Sequence, residues 1–213
     1  MLLILLCAAA AGWEVAGEAH GVTLFRRDVP GSAFKAVKGT AVIDAPLRKV
    51  ALVLLDDARA PEWIDHLAEA RVVRMISPEE YIDYTRVSLP LPLSDRDFVT
   101  DVSMAIDPAA KTLLMRSVPA KDPLVPPRGP VRALLDGTFL LRAVAPDRTE
   151  LTVELMSDPG GWLPAWLVNF FQKDWAVKSI DGIRAQAAKP DLRDPPQFKP
   201  LLDQLDFVGE ARR

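Results

Sequence analysis

The feature that most constrains the fold is a series of short strands joined by short turns, followed by one long amphipathic helix. The helical spacing of apolar residues predicts a short helix after Pro46 and a long helix from Pro164 to about Ala187. Consecutive strands with short connections form an antiparallel sheet, and the helices then gather on one side of it. We therefore predict an α+β fold in which a curved antiparallel sheet wraps around the C-terminal helix and leaves an internal cavity. The predicted strands are residues 22–28, 34–43, 70–76, 81–89, 98–106, 112–118, 135–144 and 150–157.

The composition excludes several classes of function. The 213 residues suit one domain with a sizeable core, and the net charge of -3 offers no basic surface for a nucleic acid. Two histidines and one cysteine are too few for a zinc site of Cys and His ligands or for a disulfide framework. The sequence also lacks the motifs of nucleotide-binding loops, serine hydrolases and zinc proteases. We predict no metal, no cofactor and no nucleic acid partner, and we do not expect an enzyme.

The first twelve residues, MLLILLCAAAAG, predict an export signal. A short apolar run is followed by small residues, and Ala8-Ala9-Ala10 offers a cleavage site. The run is too short to cross a bilayer, which needs about 20 residues. A lipid-anchored variant and an ordinary buried helix are the alternatives. We expect a periplasmic or secreted protein, membrane-associated in the lipid-anchored case, and a cytoplasmic protein if the segment is not a signal.

An arginine lies among acids at the start of one predicted strand, in the stretch SDRDFV from Ser94 to Val99. Because side chains alternate along a strand, Arg96 shares the face of the apolar residues Phe98 and Val102 and points inward. The residues of opposite parity then point to water: Asp95, Asp97 and Asp101. Two roles are open for Arg96. It braces the loop through hydrogen bonds to carbonyl groups and Asp97, or it anchors a polar group of a ligand.

Matching the inner faces of two neighbouring strands predicts a register in which Asp83 also points inward. Placing Leu89 opposite Phe98 sets Asp83 opposite Met104. Asp83 then lies on the order of 20 Å from Arg96 along the strand. We therefore do not expect a direct ion pair between these two inward polar residues.

Five segments, in their order and spacing, carry a resemblance to a known family. They are WEVAGEAHGVTLFRRDVPGSAFKAVKGTAVIDAP from residue 13, PEW at 61–63, EARVV at 69–73, RDF at 96–98 and GGWLPAWLVNFF at 160–171. From Trp13 to about Ala187 the chain resembles a START domain, the lipid-transfer family related to the steroidogenic acute regulatory protein. The resemblance implies a helix-grip fold with a hydrophobic tunnel. It also implies the binding of one lipid, such as a sterol, a phospholipid or a ceramide-like molecule, without covalent chemistry.

The same resemblance implies a role for Arg96 and a lid over the tunnel. Arg96 matches an arginine that forms a polar pair inside the tunnel of some sterol-binding members, and Asp83 is the candidate acid. The proline-rich loop 119–130 and the long helix would act as a lid. Separately from the resemblance, the apolar tip of this loop and the basic residues beside it predict a transient contact with a membrane surface. The predicted membrane-contact residues are Leu124, Val125 and Arg128. The predicted ligand-binding residues are Asp83, Arg96, Phe98, Val102, Met104, Met115, Phe139, Leu141, Val153, Leu155, Trp166, Phe170 and Val177.

We divide the chain into the export signal at 1–12, a lipid-binding domain at 13–188 and a proline-rich tail at 189–213, and we expect a monomer. Two other functions remain open. One is an enzyme on the same scaffold, of the polyketide cyclase or aromatase type, which would need several ionisable residues that face the cavity. The other is a regulatory module that senses a lipid and binds a partner through Leu201 to Phe207.

Overall fold

The computed structural model describes residues 12–125 and 129–208. The predicted export signal, except for Gly12, and the predicted membrane-contact residue Arg128 lie outside the described residues. The strands are β1 (Glu14–Ala19), β2 (Val22–Asp28), β3 (Lys35–Ile43), β4 (Leu67–Ser77), β5 (Glu80–Val87), β6 (Arg96–Asp107), β7 (Thr112–Pro119), β8 (Val131–Arg132), β9 (Leu134–Ala145) and β10 (Arg148–Asp158). The α-helices are α1 (Leu47–Leu55), α2 (Ala165–Ala187) and α3 (Lys199–Leu202), and 3₁₀ helices cover Asp57–Glu62, Pro196–Phe198 and Asp203–Val208.

The strands form one sheet in the order β1-β2-β3-β10-β9-β7-β6-β5-β4, and the neighbours in this order are antiparallel. The short strand β8 pairs in parallel with β6 at Arg96 and Asp97, beyond the point where the pairing of β7 with β6 ends. Helices α1 and α2 pack against each other and against the sheet. The predicted α+β helix-grip architecture is therefore confirmed.

Helix α2 packs very closely on the sheet at Gly39 in β3. A Cβ atom at Gly39 would lie 2.9 Å from the Cβ atom of Ala176 and 3.2 Å from Cδ1 of Ile180, so a larger residue has no room there. This contact lets the helix bury its apolar face against the sheet, where burial is worth roughly 25 cal/mol per Å². The fully buried core around it includes Val22, Leu47, Val50, Leu141, Leu151, Val153, Ile180 and Ile183.

Two strands have no signal in the sequence pattern. Strand β1 is exposed along nearly its whole length, so its residues lack the alternation that marks a half-buried strand. Strand β8 has only two residues and is held by its pairing with β6. The remaining strands and the long helix match the predicted segments to within a few residues, because each buries at least one apolar face.

The segment after α2 packs into the main core, although we predicted it as a separate tail. Phe198, Leu201, Leu202 and Leu205 are all buried there, and the ring of Phe198 lies 5.1 Å from that of Tyr81. These side chains are covered by the chain itself, so Leu201, Leu202 and Leu205 do not offer a surface to a partner. The residues up to Leu205 thus belong to the same folded unit as the sheet.

Two groups of ion pairs hold this segment on the surface of the core. Arg48 of α1 donates to Asp194 through Nη1 at 3.0 Å and through Nη2 at 2.5 Å. Arg59 contacts Asp191 at 3.1 Å, and Lys189 contacts Glu62 at 2.6 Å. The ion pairs are partly exposed and contribute little on their own, so the buried apolar residues supply most of the stabilisation.

The first prediction tests whether this segment is part of the folding unit. Phe198→Ala removes a fully buried aromatic side chain, so we expect the free energy of unfolding to fall by about 3–5 kcal/mol. Urea denaturation measures this change. The exposed neighbour Gln197 provides the control, and Gln197→Ala should change the free energy by less than about 0.5 kcal/mol. A loss below about 1 kcal/mol for Phe198→Ala would contradict the assignment.

Candidate ligand-binding cavity

A cavity of about 380 Å³ lies between the sheet, helix α2 and the 3₁₀ helix at Asp57–Glu62. This size falls within the range of pockets that hold one small-molecule ligand. The wall is mostly apolar and includes Leu67, Val87, Leu89, Leu93, Phe98, Met115, Phe139, Leu155, Val168 and Trp175. Phe139 and Trp175 meet edge to face with their ring centroids 6.4 Å apart. Such a wall favours an apolar ligand because it removes apolar surface from water.

The structure brings about half of the predicted ligand-binding residues to the cavity wall. Those on the wall are Asp83, Arg96, Phe98, Val102, Met115, Phe139 and Leu155. Four others fill the main core instead: Met104, Leu141, Val153 and Val177. The reason is that α1, α2 and the segment after α2 pack the other part of the sheet face, so that the cavity occupies only part of it. Trp166 is 71% exposed, and the side chain of Phe170 lies outside the described residues.

Arg96 is buried and holds two segments at the border of the cavity. Its Nε donates to the carbonyl oxygen of Pro159 at 3.2 Å, and its Nη1 donates to the carbonyl oxygen of Ser94 at 2.5 Å. The guanidinium therefore joins the loop before β6 to the segment after β10, as expected for a bracing arginine. Because Arg96 also lines the cavity, it remains a candidate contact for a ligand.

The prediction that Asp97 points to water is wrong, because Asp97 is buried. Arg132 of β8 donates hydrogen bonds to both carboxylate oxygens of Asp97, from Nε at 2.9 Å and from Nη2 at 3.0 Å. The outer face of the sheet is covered at this point by the loop that leads to β8, so parity alone does not decide exposure. No local pattern in the sequence points to a partner that lies 35 residues away.

The register of β5 and β6 differs from the predicted one. Asp83 pairs with Thr100 instead of Met104, and Val87 pairs with Arg96. Asp83 still faces inward, because the register differs by an even number of residues and the faces are kept. Asp83 lies opposite Thr100, which is four residues from Arg96 on β6, so the two side chains are roughly 13 Å apart along the strand. Both residues therefore line one cavity without forming an ion pair.

Two carboxyl groups, from Asp57 and Asp83, lie in the apolar surroundings of the cavity. Burial raises the pKa of Asp83 to about 8, and the neighbouring charge of Asp57 adds to the shift. Burial, together with Asp56, raises the pKa of Asp57 to about 6. At neutral pH Asp83 is therefore mostly protonated while Asp57 is mostly ionised, and perturbed carboxyl groups of this kind are common at functional sites.

Two polar atoms on the cavity-lining residues, Nε1 of Trp63 and Oδ1 of Asp83, are buried and have no hydrogen-bond partner among the described residues. Buried polar groups are nearly always paired, so each such exception asks for an explanation.

Neither Asp57 nor Trp63 was in our predicted site. The sequence signal that could have indicated them is the acidic pair Asp56-Asp57, which directly follows an apolar helix and lies in the segment that ends at the PEW turn.

The described residues of the proline-rich loop, 119–125 and 129–130, line no part of the cavity, which differs from the predicted lid. Val125 is buried against Ile82, Tyr84 and Val99, whose side chains lie on the outer face of the sheet. Leu124 is 67% exposed beside it. The loop packs on the outer face because that face carries apolar residues between the ends of β5 and β6, and Val125 covers them.

Two other segments border the cavity and expose large apolar side chains. The loop 88–95 contributes Leu89 and Leu93 to the wall, and residues 159–168 contribute Pro159, Leu163 and Val168. Between these wall residues the chain turns outward. Leu91 is 94% exposed and Trp162 is 86% exposed, and the exposed Trp166 follows one turn later in α2. Large exposed apolar residues near a cavity are typical of a surface that meets a membrane or another protein.

Comparison with known proteins finds one family. The model of the START domain matches residues 2–189. An uncharacterised protein of Pseudomonas aeruginosa is 28% identical over 184 residues, which cover 85% of this chain and 90% of that protein. Human START domain-containing protein 10 is 26% identical over 203 residues, which cover 92% of this chain and 69% of that protein.

Solved structures show the same similarity. The crystal structure of human START domain-containing protein 10 gives a TM-score of 0.78 at 24% identity and covers 87% of this chain and 76% of that one. A STAR-related lipid transfer protein from Xanthomonas axonopodis gives a TM-score of 0.76 at 25% identity and covers 84% of this chain and 99% of that one.

None of the described helices combines the length and the hydropathy needed to cross a bilayer. The described residues also contain no group of three or more His, Cys, Asp or Glu side chains that could hold a metal ion.

The second prediction follows from the raised pKa of Asp83. The folded protein holds this proton more tightly than the unfolded chain, whose ordinary pKa is 3.8. The contribution of this proton to the free energy of unfolding is fully present below a pH of about 4 and is lost as the pH rises to about 8. Asp83→Asn removes the titration, so between pH 5 and pH 8.5 the variant should gain about 2–4 kcal/mol of unfolding free energy relative to the wild type.

Urea denaturation at both pH values measures this difference. Asp101→Asn is the matched control, because Asp101 lies on the other face of the neighbouring strand and lines no part of the cavity. Its stability relative to the wild type should change by less than about 0.5 kcal/mol between the two pH values. Equal pH dependence in the Asp83→Asn variant and the wild type would contradict the burial of a titrating carboxyl group.

Proposed function

The chain belongs to the START domain family, and we propose that it binds one lipid molecule in its internal cavity and carries it between membranes. The observation that carries this proposal is the apolar cavity of about 380 Å³ between the sheet and α2. The similarity to a STAR-related lipid transfer protein supports the same function. Binding of this kind needs no covalent step, since transfer of apolar surface out of water drives it.

Membrane contact is the second part of the proposal. A lipid that leaves a bilayer must reach the cavity without crossing water, so the entrance has to touch the membrane. We assign this contact to Leu91, Trp162 and Trp166, which are exposed on the two segments that border the cavity. Tryptophan suits the membrane interface because its ring is apolar and its N–H is polar. This surface replaces the predicted contact at Leu124 and Val125.

The exchange of lipid requires the two bordering segments to separate, and Arg96 holds them together. Its guanidinium binds carbonyl groups of both segments. Hydrogen bonds to a charged group are typically worth about 1.5–3 kcal/mol each, so Arg96 contributes to the barrier for opening. A membrane that takes up the exposed side chains of both segments could offset this cost and lower the barrier.

The third prediction tests whether the cavity holds the lipid. Thr85→Trp places a large side chain on the cavity wall, and we expect the amount of co-purified lipid to fall by about tenfold or more. Native mass spectrometry of the purified protein, followed by extraction, measures the bound lipid. Ser103→Trp is the control, because Ser103 is exposed and lines no part of the cavity. Wild-type levels of bound lipid in the Thr85→Trp variant would argue against the cavity as the binding site.

The fourth prediction tests membrane contact. Leu91→Asp combined with Trp162→Asp adds charge to the proposed contact, so the rate of lipid transfer between vesicles should fall by about tenfold or more. The affinity for the lipid should stay within about threefold, since neither side chain lines the cavity. Leu124→Asp is the matched control and should leave the transfer rate unchanged. If Leu124→Asp slows transfer and the double variant does not, the contact lies on the proline-rich loop instead.

The carboxyl pair favours a second candidate function, an acid–base enzyme on the same scaffold. Asp83 and Asp57 have different pKa values, about 8 and about 6, which is a pattern found in catalytic pairs. The test is whether bound ligand is recovered unchanged after prolonged incubation. Stoichiometric recovery supports the carrier function, and conversion of the ligand supports the enzyme.

We keep export through residues 1–12 as a proposal about location. The apolar run and the small residues after it support this proposal. The family match begins at residue 2, so the competing arrangement is that the segment forms part of the domain. The intact mass of the protein in separate cell fractions distinguishes the two. A shortened protein in the exported fraction supports export, and a full-length protein in the cytoplasm contradicts it.

A further inference from the structure

The cavity ends in the same way on three strands of the sheet. Val102 of β6, Met115 of β7 and Phe139 of β9 are the last residues of these strands on the wall. On each strand the next inward-facing residue is buried in the main core and lines no part of the cavity; these residues are Met104, Leu113 and Leu141. Because inward-facing side chains recur at every second residue, each strand closes the end of the cavity with its own next side chain.

Strand β5 does not close the cavity in this way. Its last residue on the wall is Tyr81, which pairs with Val102 of β6. The next inward-facing position would be residue 79, but β5 begins at Glu80, and residue 79 belongs to the turn that joins β4 to β5. The core behind Tyr81 is therefore completed by a side chain from another segment.

Phe198, in the segment after α2, supplies this side chain. It is fully buried, and its ring centroid lies 5.1 Å from that of Tyr81 at an interplanar angle of 57°. Tilted rings at this distance attract each other beyond the effect of burial alone. Phe198 also lies beyond residue 189, where the match to the START domain model ends. The inner end of the cavity is thus backed by a residue outside the matched part of the chain.

The segment that carries Phe198 is bound to two elements of the cavity wall. Asp194 accepts hydrogen bonds from Arg48 of α1, and Asp191 forms an ion pair with Arg59 of the 3₁₀ helix. Both elements contribute side chains to the wall, namely Leu54, Asp57 and Ala60. These contacts hold the ring of Phe198 at a fixed position relative to the wall.

We propose that Phe198 holds Tyr81 in place as the inner stop of the cavity, and that this pair limits the length of the apolar chain that the cavity accepts. The proposal rests on the proposed function, since it requires a ligand in the cavity. Phe198 is a positioning residue, because it lines no part of the cavity and acts only through Tyr81. Without its ring, Tyr81 can move back into the space that Phe198 leaves, and a longer chain then fits.

The test uses a series of 1-alkanols with even chain lengths, from 1-decanol to 1-octadecanol. Binding to the full-length protein is measured by competition with a fluorescent fatty-acid probe and by native mass spectrometry. The readout is the ratio of the affinities for 1-hexadecanol and 1-dodecanol, compared between variants so that the difference in transfer from water cancels. Phe198→Ala removes a phenyl ring behind the stop, so we expect this ratio to rise by about tenfold relative to the wild type.

Two further variants separate the depth of the cavity from the stability of the segment. Tyr81→Ala removes the stop itself and should raise the ratio by about tenfold or more. Leu205→Ala is the matched control, because Leu205 is a buried apolar residue of the same segment that lines no part of the cavity. It should lower the free energy of unfolding, as Phe198→Ala does, but leave the ratio within about twofold of the wild type.

The outcomes separate this proposal from the function on which it rests. If Phe198→Ala binds 1-dodecanol with an unchanged ratio, or if Leu205→Ala raises the ratio equally, the proposed stop is wrong although the cavity still binds apolar chains. If the wild type binds none of the alkanols, the carrier function fails and this proposal fails with it. If Phe198→Ala does not fold, as judged by circular dichroism, the milder Phe198→Leu replaces it and should raise the ratio by about threefold. An unchanged ratio in Phe198→Leu then overturns the proposal.

Discussion

The close approach of helix α2 to β3 at Gly39 is the contact on which the rest of the structure depends. It fixes the helix against one part of the sheet, where a Cβ atom would have no room beside Ala176 and Ile180. The main contacts of α2 with the sheet are to β2, β3 and β10, whereas β4 to β6 lie at the other end of the strand order. The cavity is the space that this geometry leaves between them, lined by β5, β6 and the 3₁₀ helix Asp57–Glu62.

The cavity is kept at a cost in stability, and the cost is concentrated in a few polar residues. The unpaired atoms of Trp63 and Asp83 each forgo a hydrogen bond that water would supply in the unfolded chain. Asp83 adds a carboxyl group that is mostly neutral at pH 7, because burial and Asp57 oppose its charge. The segment from Phe198 to Leu205 offsets such costs by adding buried apolar surface to the core. Stability and ligand binding are therefore supplied by different parts of one fold.

Most of the fold could be predicted because each element buries one apolar face. The alternation of side chains along β6, and the matching of its inner face to that of β5, correctly placed Arg96 and Asp83 inside. The register could not be predicted, since a slide from Met104 to Thr100 keeps every side chain on its face. Long-range contacts were also missed: Arg132 reaches Asp97, and Val125 covers the outer face of the sheet. Trp63 and Asp57 were not predicted as cavity residues, because a 3₁₀ turn has no periodic pattern that indicates which of its side chains face inward.

The two polar positions of the cavity differ in what they can do for a ligand. Arg96 already uses its Nε and Nη1 on carbonyl groups of the bordering segments, so its main effect is on whether these segments stay together. Trp63 and Asp83 each have a buried polar atom without a partner among the described residues, and Asp83 lies roughly 13 Å from the level of Arg96 along β6. A ligand that fills the cavity would extend from the level of Asp83 to the segments that Arg96 joins, and these segments must separate for its release. Affinity would then depend mainly on the apolar wall, and the rate of release on the contacts of Arg96, so that the two properties could change independently.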